Sequence, residues 1–275
     1  MNLLVIPFPV VDPVAFSIGP VSVHWYGLAY LAGILAGWLY GRRLVSRADL
    51  WNGNPPMTVR QADDFLLWIT LGIVVGGRLG FVLFYEPSYF WQNPMQIPAL
   101  WNGGMSFHGG LLGVVIAVYL FAKAQGINPL SLGDIASAAT PFGLFFGRVA
   151  NFINSEVYGR PTDVPWAMVF PGVDDLPRHP SQLYEAALEG VVLLIILRIA
   201  THYYKELNRP GTVFGLFLIF YGIFRSVIEE VAREPHPGHP LDIGILTPGM
   251  AYSIPMFLIG VWLIWRARRK AALAA

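Results

Sequence analysis

Residues 105–123 read MSFHGGLLGVVIAVYLFAK, a run in which only His108 and Lys123 can carry charge. A bilayer core needs roughly 20 consecutive, mostly apolar helical residues, so the run predicts a membrane-spanning helix. The same pattern recurs along the chain. Stretches of suitable length lie at 18–40, 63–85, 134–153, 181–203, 211–231 and 247–266. The expected fold is therefore an all-α integral membrane protein of seven transmembrane helices forming a single domain over 1–275. The composition agrees. Of 275 residues, 55% are hydrophobic and only 13% charged, against about a quarter charged in soluble domains. There is no cysteine, which excludes a disulfide scaffold, a Cys-ligated metal and a Cys nucleophile within the chain.

Orientation follows from Lys and Arg near the span ends. With seven spans, Arg42, Arg43, Arg47, Arg60, Lys123, Lys205, Arg209, Arg266, Arg268, Arg269 and Lys270 share one side, and only Arg160, Arg178 and Arg233 share the other. That bias predicts an N-terminus outside and a C-terminus in the cytoplasm. The 86–104 connection carries no Lys or Arg, as an outside loop should. The start, MNLLVIPFPVVDP, lacks the basic region of a cleaved signal peptide and is expected to be part of the mature protein. The longest connection, 154–180, is rich in Pro and Asp and is expected to form a small external cap. Glycines every four residues (Gly33, Gly37 and Gly41; Gly72, Gly76 and Gly80; Gly109 and Gly113; Gly143 and Gly147) suit close helix contact.

Under this topology the unusual polar residues gather at the outward ends of the spans. His24 and Tyr26 open the first, Arg78 and Tyr85 approach the end of the second, and His108 opens the third. Arg148, Asn151 and Asn154 close the fourth, Gln182, Tyr184 and Glu185 open the fifth, and Arg225 and Glu229 lie in the outer half of the sixth. An ionisable group in hydrocarbon costs roughly 2.5–3.5 kcal/mol on insertion scales, so it usually faces the bundle interior and marks function. The spacings put Arg148 with Asn151, and Tyr221 with Arg225 and Glu229, on shared helix faces.

Plainer readings stand beside this one. Arg225 with Glu229 also reads as a self-satisfying intrahelical pair, Arg78 as a structural brace, His24 as an interfacial anchor, and Glu185 with Glu189 as partners of the arginines. The arginine fork suits phosphate oxygens. The residues alone thus point to a phosphate-containing lipid bound near the outer leaflet, with His108 available for proton transfer. A phospholipid or anion transporter is the alternative, and a non-catalytic membrane assembly factor a third. Transport would call for a continuous polar path, and the inner halves of the spans are apolar apart from Arg198 and charges at their very ends. No metal, cofactor or nucleic-acid partner is expected.

Six segments resemble a known family in order: HWYG at 24–27, GGRLGFVLFY at 76–85, WNGGMSFHGGLLG at 101–113, GRVANFINSEVYGR from Gly147, RHPSQLYEAALEG at 178–190 and YGIFRSVIEEVARE at 221–234. Together they are similar to the bacterial prolipoprotein diacylglyceryl transferases. Ser155 and Ala150 depart from that pattern, which usually has Gly at both positions, and the segment 160–180 looks short.

The resemblance implies an enzyme of the bacterial inner membrane with its site toward the periplasm. It would transfer diacylglyceryl from phosphatidylglycerol to the lipobox cysteine of a preprolipoprotein signal peptide, releasing glycerol phosphate. It implies His108 as the candidate base and Arg148 and Arg225 as phosphate-holding groups. Tyr26 and Asn151 would orient the headgroup, Glu156 and Glu229 would position the arginines, and Tyr221, Asn154 and Gly159 would complete the substrate site. Glu229 is the alternative base.

Overall fold

A computed structural model of the chain describes residues 6–9, 11–234 and 247–274. The expectation for the N-terminal stretch therefore falls partly outside the described residues. The described chain is mostly helical. Four helices are long and apolar enough to cross a membrane: Val59–Phe84, Phe107–Gln125, Thr212–Val231 and the stretch Pro248–Leu273.

The chain divides into two compact units, residues 1–41 with 134–275, and residues 42–133. In the first, an antiparallel ribbon of β1 (Val14–Ile18) and β2 (Val21–His24) leads into helix α1 (Trp25–Ser46). This departs from a purely helical reading, in which the first span begins at residue 18. The cause is local. Gly19 sits at φ +60° between two short runs rich in β-branched and aromatic residues, and Phe16 pairs with Val23 and Ser17 with Ser22. The helix starts only after that turn chemistry is spent.

Helix α5 (Pro129–Ile153) follows, starting earlier than the expected residue 134. The carbonyl side chain of Asn128 accepts from Leu130 N at 3.0 Å, capping its first turn. Backbones of α1 and α5 approach where Gly33 meets Gly143 and Gly37 meets Ala139. The 181–203 segment is not a uniform helix. α6 (Ser181–Glu185) runs into a π-helical stretch, Ala186–Val192, then α7 (Leu193–Arg198), then a second π turn, Ile199–Tyr203.

Helix α8 (Thr212–Val231) begins where the Asp134 carboxylate accepts from Gly211 N at 2.7 Å and Phe214 N at 2.8 Å. It pairs with α9 (Pro248–Ala274) across Gly215 and Gly260. Between α5 and α6, residues 154–180 form isolated bridges rather than helix, among them Gly159 with Arg233 and Pro161 with Arg178.

In the second unit, α2 (Val59–Phe84) starts at a capping box of Thr58 and Gln61 and packs antiparallel to α4 (Phe107–Gln125). A Cβ on Gly72, Gly76 or Gly80 would strike the backbone of Gly109 or Gly113. The interface is therefore as close as two helices come. A short helix, α3 (Pro87–Gln92), and irregular chain join them.

Candidate active site

The charges of the first unit converge on one carboxylate. Glu185, at the end of α6, is fully buried. Its Oε1 lies 2.8 Å from Arg225 Nη1 and 3.2 Å from Arg233 Nη1, and its Oε2 lies 2.8 Å from Arg148 Nε. Three guanidinium groups, one from α5 and two from α8 and its end, thus meet at a single side chain.

Two further carboxylates complete the set. Arg225 Nη2 is 2.8 Å from Glu229 Oε2 one turn along α8, and Arg148 Nη2 is 3.7 Å from Glu189 Oε2. Glu189 is also fully buried, and neither of its oxygens accepts a hydrogen bond. It sits within the π-helical stretch, and such wider turns occur frequently at functional sites. Gly190 there lets the helix close against Phe145 of α5.

Buried charges are expensive unless paired, and here three arginines face three glutamates. Each guanidinium has five N–H groups in a planar fork. The carboxylates engage only part of that capacity in Arg148 and Arg225, which leaves donors for phosphate oxygens.

A second chain of contacts extends from Arg148. Its Nη1 donates to Asn151 Oδ1 at 3.5 Å, Asn151 Nδ2 donates to Glu156 Oε2 at 3.3 Å, and Asn154 Nδ2 donates to Glu156 Oε1 at 3.4 Å. Ser155 and Val157 flank Glu156 at φ +56° and +58°, a left-handed conformation that favours glycine. This is the physical reason a glycine suits the position of Ser155. The turn is pinned to α6 by Gln182 Nε2 donating to Glu156 O at 2.6 Å and Ser181 Oγ donating to Val157 O at 2.9 Å. Tyr26 pairs with Tyr30 one turn along α1, hydroxyl to hydroxyl at 3.2 Å. Tyr221 lies within electrostatic reach of Arg148, Arg225, Glu185 and Glu189.

The remaining sequence candidates have other surroundings, although the backbone of Gly159 bridges to Arg233. Gly159 is in the 154–180 segment, where a Cβ would strike Ala232 O and His179, and its own carbonyl accepts from Arg178 Nη1 at 3.1 Å. His108 is the second residue of α4 in the other unit, exposed, with the Phe107 ring edge-on at 5.6 Å. Arg78, in that same unit, meets no carboxylate among the described residues. It donates to the backbone carbonyls of Gln96, Ile97, Ala99, Gly103 and Gly104. The brace is real, but its partner is backbone.

Arg233 is the member that sequence reasoning missed, because it was counted only as a loop charge. Its signal was present: Tyr221, Arg225, Glu229 and Arg233 continue one i, i+4 row past the end of α8. Among the described residues no group of three or more His, Asp or Glu side chains is arranged to hold a metal.

Comparison with known proteins gives a consistent result. Residues 13–266 match the profile of the family described as prolipoprotein diacylglyceryl transferase. The chain is 54% identical to the phosphatidylglycerol–prolipoprotein diacylglyceryl transferase of Phenylobacterium zucineum, over 96% of this chain and 95% of that protein. It is 54% identical to the protein of the same name from Rhizobium leguminosarum, over 99% and 98%. It is 51% identical to that of Rhizobium meliloti, again over 99% and 98%.

Proposed function

The chain belongs to the prolipoprotein diacylglyceryl transferase family, and from that premise we propose how its buried charges carry out the transfer. The protein is a transferase that moves the diacylglyceryl group of phosphatidylglycerol to a prolipoprotein. The acceptor atom in this reading is the sulfur of a lipobox cysteine. The cysteine thiolate attacks the glycerol carbon that bears the phosphate ester. A carbon–sulfur bond forms, the carbon–oxygen bond breaks, and glycerol phosphate leaves with the bonding pair.

Two demands follow. The thiol, with an ordinary pKa near 8.5, must lose its proton, and the phosphate must be held as its charge grows. Arg148 and Arg225 meet the second. The observation that carries the reading is Glu185, which at 2.8 Å from each fixes the two forks relative to each other before substrate arrives. Preorganised donors aimed at developing charge are often the largest catalytic term. Glu229 holds Arg225 from the other side. Asn151, with Glu156 behind it, and Tyr26 orient the glycerol headgroup. His108 takes the thiol proton as a neutral imidazole acting as general base.

The same reading sets seven spans in the bacterial inner membrane, N-terminus periplasmic and C-terminus cytoplasmic, with the site toward the periplasm and 154–180 as its cap. The distribution of Lys and Arg supports it.

The test is direct. Purified protein, phosphatidylglycerol and a lipobox peptide are mixed, and the peptide mass is followed. A diacylglyceryl adduct that depends on the peptide cysteine is expected. A folded protein that yields no adduct rules the reaction out. His108→Gln with near-normal adduct formation would remove His108 as the base and shift the role to a carboxylate such as Glu229.

A further inference from the structure

The contacts between α2 and α4 fix their register. Gln61 Nε2 donates to Gln125 Oε1 at 2.9 Å near one end. Gly72 lies against Gly113, Gly76 against Gly109, and Ser106 N donates to Gly77 O at 2.9 Å. Helix α4 therefore begins beside residue 77, while α2 runs on to Phe84. At 1.5 Å per residue the shortfall is about 10 Å. Irregular chain occupies that depth, beside the last two turns of a helix apolar enough to span a membrane.

Non-helical backbone at membrane depth is tolerated only where its polar groups are satisfied by protein or water. Arg78, itself buried, does this for five carbonyls between Gln96 and Gly104. Its guanidinium also lies over the Phe90 ring, 5.1 Å from the centroid. The segment thus has an inner face, with Phe90 and Ala99 buried. It also has an outer face, with Trp91, Met95, Trp101 and Phe107 between 76% and 89% exposed. From 86 to 107 it carries no Lys, Arg or Asp and only Glu86.

We propose that residues 86–107 form a re-entrant arm clamped by Arg78, whose outer face lies in the headgroup–acyl boundary of the leaflet at which α2 ends. Phospholipid is the occupant because the arm is continuous with two apolar spans, sits below the end of one of them, and presents Trp and Met without charge. Trp at the boundary is the ordinary interfacial anchor.

The absence of cysteine makes the test simple. Single-cysteine variants at Trp91, Met95 and Trp101 are spin-labelled in the full chain and reconstituted in phosphatidylcholine–phosphatidylglycerol vesicles. Collision with oxygen and with a water-soluble nickel complex is then compared with labels at exposed Asn54 in the α1–α2 loop and lipid-span Val115 in α4. Labels on the arm are expected to lose nickel access relative to Asn54 and gain oxygen access toward the value at Val115. Arg78→Gln is expected to restore nickel access at Met95 and Trp101 while Val115 stays shielded. Arm labels as nickel-accessible as Asn54 would overturn the proposal. So would shielding that appears only when a lipobox peptide is added, since the face would then belong to the peptide. Arm labels that stay shielded in Arg78→Gln would overturn the clamp.

Discussion

At the scale of single residues, Glu185 decides most. Removing its charge leaves Arg148, Arg225 and Arg233 facing one another with one counter-charge fewer. Truncation to Ala is expected to destabilise by about 3–5 kcal/mol, the ordinary cost of breaking a buried pair. Glu185→Gln keeps the shape and frees the two forks, and is expected to lower turnover by about a hundredfold, as misplacement of about 1 Å can. Peptide lipidation rate with an unchanged circular dichroism spectrum checks it. Near-normal turnover of a folded Glu185→Gln would end the argument that this carboxylate sets the forks. Arg148→Lys keeps the charge but not the bidentate fork and is expected to lose most activity. At Val157 the strain is of another kind. A β-branched residue at φ +58° is a genuine outlier, so Val157→Gly is expected to stabilise, read as a higher melting temperature. None of these geometries was legible in the sequence. The residue types were, because arginine and glutamate inside apolar runs demand partners, but nothing in spacing says that three arginines choose the same carboxylate.

At the scale of elements, glycine rows that look alike behave differently. A Cβ on Gly113 would meet Gly72 C at 2.8 Å and Gly76 Cα at 3.0 Å, whereas one on Gly143 meets nothing within 4 Å. Gly113→Leu is therefore expected to force α2 and α4 apart, at about 1–3 kcal/mol or more. Gly143→Ala is expected to be neutral or to stabilise by up to about 1 kcal/mol through helix propensity. Thermal unfolding in detergent separates the two, and equal losses would mean that the α2–α4 contact is not the tight one. The row marks a helix as able to pack closely, and only the partner's surface tells which glycine is used. The 154–180 segment gives a pH prediction. Arg178 hydrogen-bonded to Asp174 holds that carboxyl below its ordinary range. Burial, aided by the nearby Arg160, lowers the His179 pKa. Both groups bind protons less readily folded than unfolded, so stability rises with pH and is lost on acidification. His179 acts as pH falls from about 6.5, and Asp174 only from about 3.9 downward. Faster proteolysis of this segment at pH 5 than at pH 7 is expected, with the difference reduced in His179→Gln. Proteolysis independent of pH over that range would remove His179 from this account.

At the scale of the whole molecule, hydropathy finds the walls before the site. The helices apolar enough to be recognised on that ground alone are α2, α4, α8 and α9. α8 is recognised although it bears Arg225 and Glu229, and the rest of the cluster lies on segments that fall short. α5 bears Asp134 and Arg148, and 181–203 bears Glu185 and Glu189 and is broken by π turns. The architecture was legible to the extent that charge was absent, and the site was legible because charge was present where it should not be. This divides the topology into two testable cases. From the α1–α2 loop to the 154–180 segment the chain passes α2, α4 and α5. If all three cross the membrane, the two places lie on opposite sides. If only the strongly apolar α2 and α4 cross, they lie on the same side. Asn54→Cys and Asp163→Cys, both at exposed positions of a chain without cysteine, can be treated in spheroplasts with an impermeant maleimide. With seven spans and the positive side inward, Asp163→Cys is expected to label in intact spheroplasts and Asn54→Cys only after lysis. Labelling of both in intact spheroplasts, or of neither, would mean that α5 does not cross. With neither labelled, Arg148 and its neighbours would have to be reached from the other face of the membrane, and the lipid donor with them.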